Sequence, residues 1–214
     1  MDLLTVGSIV LLSFLLGGIP FGLLIARAYG VSDIRAHGSG NTGATNVWRV
    51  IGAGAAIWVY AGDIGKGVLA VVIARAVHQD IMPRDYFLVL AALVAVFGHV
   101  FPIYLRFHGG KGVNTALGVM LSLLPWHALI ALAAFAATVA VSRYISLGSI
   151  VAGICLFLAT LLERLFLTSD RALIYLVLTG LVMLLVIWTH RSNVRRIVAG
   201  TENRFSLSGH GKSV

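Results

Sequence analysis

The sequence is poor in charge, in cysteine and in proline. Charged residues make up 11% of its 214 positions, against about 25% in ordinary soluble domains. With 59% apolar residues and a mean hydropathy of +0.96, this excludes a water-solvated globule and leaves no room for a separate soluble domain. The single cysteine, Cys155, sits inside an apolar run; one thiol excludes an internal disulfide. No Cys/His cluster has structural-zinc spacing, so neither a metal nor another cofactor is expected. Acidic residues are also scarce, eight against sixteen basic ones, for a net charge of +8. The basic residues form no stripe interleaved with stacking aromatics, so nucleic acid is not an expected partner. They fall in the short gaps between apolar runs, where membrane topology and anionic lipid account for them. Several catalytic signatures are missing as well. No histidine is followed five positions later by aspartate: His37 leads to Thr42, His99 to Tyr104 and His190 to Arg195. The H-x4-D dyad of many acyl-CoA-dependent glycerolipid acyltransferases is therefore absent, as are H-E-x-x-H and G-x-S-x-G.

What is present is a set of long apolar runs, at about 3–28, 53–76, 86–105, 113–125, 127–143, 149–167 and 172–190. A helix needs about 20 residues to span the hydrocarbon. The expected fold is thus an all-α integral membrane protein, one polytopic domain of about seven segments. The fourth and fifth runs are short and meet at Pro125-Trp126, so one or two half-helices are expected there, lining a protein cavity. The ten-residue alternation of a membrane β-barrel is missing. The first run lacks the basic n-region and cleavage site of a signal peptide and reads as a retained helix.

The basic residues set the orientation. Alternate gaps carry Arg27, Arg35 and Arg49; Arg106 and Lys111; Arg143; and Arg191, Arg195, Arg196, Arg204 and Lys212. The opposite gaps carry only Arg75, Arg84, Arg164 and Arg171. The richer set should be cytoplasmic, with the N-terminus outside and the C-terminus inside.

Three polar stretches on that side are unlike ordinary connections. In the first, Ser39-Gly40-Asn41-Thr42-Gly43-Ala44-Thr45-Asn46 precedes Arg49. Small residues let a backbone approach a ligand closely, while Ser39, Asn41, Thr45 and Asn46 offer hydroxyls and amides. A flexible turn with Thr45 or Asn46 as a helix cap is the plainer alternative. The second, His108-Gly109-Gly110-Lys111-Gly112, leads into an apolar helix. A lysine among glycines suits a phosphate, as point charge plus backbone donors. It is not a Walker A loop, since Leu105 stands where the first glycine should be and Gly112 where Ser or Thr should be. Lys111 as a simple positive-inside anchor is the alternative. In the third stretch, His190 and Asn193 stand one helical turn apart at the end of the last run, with histidine suited to proton transfer near neutral pH. Arg195 and Arg196 read as a basic tail on anionic lipid. Within the runs, Asp63 and Lys66 are spaced as an i, i+3 ion pair, and His99 is expected to make an interhelical contact.

Taken in order, these blocks resemble the PlsY family, the bacterial acyl-phosphate:glycerol-3-phosphate acyltransferases. Gly18-Ile19-Pro20-Phe21-Gly22 with Gly38 to Asn46 and Arg49 is similar to the first family signature. Gly109-Gly110-Lys111-Gly112 with Thr115-Ala116-Leu117-Gly118 is similar to the second. His190-Arg191, Asn193, Arg196 and Gly200-Thr201-Glu202-Asn203 are similar to the third. Asp63 to Gly67 and Arg143 to Ser149 also match. The resemblance implies acyl transfer from acyl phosphate to the sn-1 hydroxyl of glycerol 3-phosphate, giving lysophosphatidic acid and phosphate, in a bacterial inner membrane with the site facing the cytoplasm. It implies Ser39, Lys111, His190 and Asn193 as catalytic, and Gly40, Asn41, Thr45, Asn46, Arg49, Gly109, Gly110, Gly112, Ser146 and Ser149 as substrate-binding. Its partners would be the two substrates and the lipid bilayer; the sequence names no protein partner. A transporter of organic phosphates is the competing reading, but it would place polarity near the midplane rather than on one face.

Overall fold

In the computed structural model, residues 3–78, 82–166 and 172–206 are described. They form ten α-helices and, among the described residues, no strand: α1 (Leu3–Gly18), α2 (Phe21–Ala28), α3 (Ala44–Val50), α4 (Ala53–Val77), α5 (Arg84–Val100), α6 (Val113–Leu123), α7 (Pro125–Ser142), α8 (Ile145–Phe166), α9 (Ala172–Thr189) and α10 (Arg191–Val198). Five spans are long and apolar enough to cross a membrane: Leu3–Ala28 (α1 with α2), Ala53–Val77, Arg84–Leu105, Pro125–Ser142 and Ile145–Phe166. A sixth is reached when α9 and α10, bent by 53° to each other, are counted as one broken span. The expected helical membrane bundle is what the chain adopts.

The half-helix is α6. Its 11 residues span about 16 Å at 1.5 Å per residue, roughly half the hydrocarbon thickness. Leu124 turns the chain and Pro125 opens α7 at a first-turn position, where its missing N–H costs nothing. The fifth run, by contrast, is a full 18-residue helix.

Packing follows the rule for lipid rather than water. Large side chains such as Leu11, Leu158, Leu162 and Leu184 point outward, because lipid tails are as apolar as leucine. Small residues face inward and let helices approach. A Cβ on Gly17 would strike the Ala95 carbonyl and one on Gly98 the Phe14 carbonyl, so α1 and α5 touch through reciprocal glycines. Gly67 and Gly118 do the same between α4 and α6, against Thr115 and Ile64 carbonyls. Helix α4 is the hub, contacting α1, α2, α3, α5 and α6, while α7, α8 and α9 form a second group. A core of Val71, Val96, Val119, Met120, Leu178 and Val182 joins the two groups.

Candidate active site

The polar stretches meet where the N-termini of α6 and α8, the C-terminus of α9 and helix α3 converge. Between them lies a cavity of about 350 Å³. Ser39, Asn41, Thr45, Asn46, Arg49, Lys111, Gly112, Ser146, Ser149, His190 and Asn193 all line it. Its other end is apolar, formed by Met120, Ala128, Ala131, Phe135, Leu156 and Val182. Gly40, Gly109 and Gly110 lie outside this lining.

The first loop is folded by Asn46. Its Nδ2 donates to the carbonyls of Ile34 (3.2 Å), His37 (3.0 Å) and Asn41 (2.9 Å), and its Oδ1 accepts the Ser39 N–H at 2.7 Å. The side chain is 1% exposed, and these bonds occupy both its donor and acceptor ends. Asn46 thus organises the loop that carries Ser39 and Asn41. Gly43, rather than Thr45, precedes the first turn of α3. Arg49 projects from the last turn of α3, half-buried; desolvation lowers its pKa, with the Glu202 carboxylate opposing.

Lys111 meets the third stretch directly: its ammonium donates to Asn193 Oδ1. Thr189 Oγ1 reaches the Lys111 carbonyl at 3.3 Å. Asn193 in turn donates through Nδ2 to Glu202 Oε1 at 2.7 Å. Glu202 is the residue that motif reading left out of the site. Its Oε1 also accepts from Ser146 Oγ at 2.8 Å, and its Oε2 from Arg196 Nε at 2.7 Å. The carboxylate is 8% exposed. Burial raises its pKa, but the hydrogen bonds from Asn193, Arg196 and Ser146 outweigh that and hold it low. A sequence signal existed, since Glu202 is the sole acid after Asp170, inside a basic tail. Arg196 therefore serves as partner to a cavity-lining acid rather than only as lipid anchor.

With Glu202 engaged in this way, Lys111 has a neutral hydrogen-bond partner and is partly buried. Desolvation, opposed by the Glu202 carboxylate and assisted by the Arg196 and Arg49 charges, pushes it down to about 8. His190 occupies the break between α9 and α10 at 2% exposure. Its Nδ1 lies 2.8 Å from the Val186 carbonyl. A carbonyl only accepts, so Nδ1 carries the hydrogen and Nε2 the lone pair. Burial and the Lys111 charge push this imidazole down to about 4. Ser39 has no hydrogen bond to a histidine among the described residues, and no group of metal-binding residues occurs among them.

Below the loops, Asp63 and Lys66 pair at 2.8 Å, both almost fully buried. This offsets an insertion cost of ~2.5–3.5 kcal/mol for a lone charge. Lys66 also donates to the Ile19 carbonyl at 3.0 Å, at the α1–α2 break. His99 Nδ1 stands 3.5 Å from the same Asp63 oxygen without the alignment of a hydrogen bond. Asp63 and His99 also reach the cavity wall.

Fold and site together define an integral membrane helical bundle with a polar cavity, bearing Arg49 and Lys111 beside Asp63 and Glu202, that continues into an apolar slot. A family profile described as "Glycerol-3-phosphate acyltransferase" matches residues 7–200. A glycerol-3-phosphate acyltransferase of Geobacter sulfurreducens is 46% identical over 195 residues, covering 90% of this chain and 94% of that protein. One of Myxococcus xanthus is 46% identical over 198 residues, covering 92% and 98%. The crystal structure of PlsY, an integral membrane glycerol 3-phosphate acyltransferase, in its glycerol 3-phosphate form superposes with a TM-score of 0.83 at 35% identity, covering 94% of this chain and 96% of that one. The chain belongs to the glycerol-3-phosphate acyltransferase (PlsY) family.

Proposed function

We propose that this protein transfers a fatty acyl group from acyl phosphate to the sn-1 hydroxyl of glycerol 3-phosphate, releasing lysophosphatidic acid and phosphate. It would act as a single polytopic domain of a bacterial inner membrane, N-terminus outside, with its cavity facing the cytoplasm. The observation that carries this reading is the cavity's two-ended lining: Arg49 and Lys111 at one end, Ala128, Ala131, Phe135 and Leu156 at the other. Both substrates bear phosphate and the donor bears a long chain, so the lining matches each part of each substrate.

The chemistry needs little more than placement, because an acyl phosphate is already activated. Arg49 and Lys111 hold the phosphates, and Asn193 keeps the Lys111 ammonium aimed. The glycerol oxygen attacks the acyl carbon, the bond from that carbon to the phosphate oxygen breaks, and phosphate leaves. Polar groups of the loops stabilise the charge that develops on the acyl oxygen. The hydroxyl proton passes to a substrate phosphate oxygen, whose second pKa is about 6. His190, its imidazole held well below the ordinary histidine value by burial and the Lys111 charge, is assigned to orienting the acceptor through its Nε2 lone pair.

Two assays test this. Purified protein should release phosphate from palmitoyl phosphate only when glycerol 3-phosphate is present; equal use of palmitoyl-CoA with none of palmitoyl phosphate would reject the donor assignment. His190→Gln should keep turnover within about tenfold of the parent, whereas a loss beyond about a hundredfold, the range of general-base catalysis, would give the proton to His190.

A further inference from the structure

The buried cluster of Asp63, Lys66 and His99 is left unexplained by the reaction above. It lies at the junction on which both polar loops rest. On one side, Gly110 N–H donates to the His99 carbonyl and Gly109 N–H to the Val100 carbonyl, each at 3.1 Å. A Cβ on Gly110 would fall on the His99 ring at Nε2, and one on Gly109 would strike the His99 carbonyl and Pro102. Gly109 and Gly110 therefore seat the second loop against His99 and Pro102, which is why these two stand outside the cavity lining. On the other side, a Cβ on Gly22 would strike the Thr42 carbonyl, so the first loop sits directly on α2. The break that starts α2 presents the Ile19 carbonyl, which is held by Lys66. Lys66 also lies 5.9 Å from the centre of the Phe21 ring. The free space left at this junction is only about 10 Å³, too little for more than about one water.

We infer that Asp63, Lys66 and His99 are positioning residues: they fix the first loop, with Arg49 beyond it, relative to the second loop and Lys111. The chain of contacts is continuous. Ile19 orients Lys66, Lys66 fixes Asp63, Asp63 faces the His99 imidazole, and the ring sets where Gly110 can lie. Lys111 follows Gly110 by one residue. The inference rests on the reading of the Arg49–Lys111 cavity as a phosphate site. None of the three residues need touch the reacting atoms.

A displacement of the loops should act on acceptor binding before it acts on the bond-making step. In detergent-purified, monodisperse protein, His99→Ala should raise KM for glycerol 3-phosphate about tenfold, the scale of a sub-ångström misplacement. Its kcat and its KM for palmitoyl phosphate should each change by less than about threefold. Gly110→Ala should do the same, because its methyl meets the ring. The double variant should be no worse than the worse single one, since the ring that the methyl strikes is gone. Asp63→Asn, which keeps the side chain's shape, should also raise KM selectively. Unchanged KM values in folded His99 and Asp63 variants, or additive losses in the double variant, would overturn the inference. Lys111→Ala serves as the control. If it leaves KM for glycerol 3-phosphate unchanged, the phosphate reading fails and takes this inference with it. If it raises KM while the His99 and Asp63 variants do not, only the positioning role fails.

Discussion

At the scale of single residues, the site is an exercise in holding charge out of water without neutralising it. Lys111 bonds the amide oxygen of Asn193, while the nearby Glu202 is taken up by Ser146, Asn193 and Arg196. The lysine keeps its charge only up to about pH 8. Its pKa is lowered, so the charged form is lost as pH rises through that value, and a bound anion restores it. KM for glycerol 3-phosphate should therefore climb above about pH 8 in the parent protein. In Lys111→Arg, whose guanidinium stays protonated, that rise should vanish; the measurement is KM against pH from 6 to 9.5, a window chosen about the lysine's value. Glu202→Gln leaves one amide oxygen, which can serve Asn193 and Ser146 or Arg196 but not both, so a donor is left facing a donor. Catalytic efficiency should fall at least about tenfold, with a lower thermal midpoint in detergent.

Single helices and loops show where sequence reading succeeds and where it stops. The long apolar runs announce spans because little besides a bilayer demands about 20 consecutive apolar residues. The brief run after Gly112 announces a half-helix for the same reason of length. Glycine loops are another matter. Gly109, Gly110 and Gly112 look alike as letters, yet Gly112 lines the cavity while the other two are packing devices against His99. Nothing in local composition tells a backbone that meets a ligand from one that meets a neighbouring helix. Asn46 shows the same limit: an amide can bind substrate or bind its own loop, and here its hydrogen bonds go to the loop. Glu202 escaped as a site residue because its partners, Ser146 and Asn193, come from separate elements. The reciprocal glycines between α4 and α6 give a direct test at this scale. Gly118→Ala drives a methyl into the Ile64 carbonyl, and overpacking of this kind costs about 1–3 kcal/mol. A markedly lower melting midpoint, with little change in KM among molecules that remain folded, is expected.

For the whole molecule, the polar stretches gather at one end of the bundle, at the close of α9 and the starts of α6 and α8. Under the orientation proposed above from the positive-inside bias, that end would face the cytoplasm. Because Cys155 is the only thiol, a Cys155→Ala background permits a clean labelling test. Ser192→Cys on α10 should react with a membrane-impermeant maleimide in inverted vesicles and not in sealed right-side-out ones. Arg84→Cys at the start of α5 should show the reverse pattern. Identical labelling of both from one side would reject the proposed orientation.

The cavity is polar at its Arg49 and Lys111 end and apolar among α7, α8 and α9. Under the proposed reaction, the ester is made where those two environments meet, at one depth and in one direction. Each new lysolipid is then born upright, phosphate toward the loops and tail toward the bilayer interior. It would join the leaflet on the loop side without turning over. Lipid sidedness would thus begin at the moment of synthesis, and populating the opposite leaflet would fall to a separate machine.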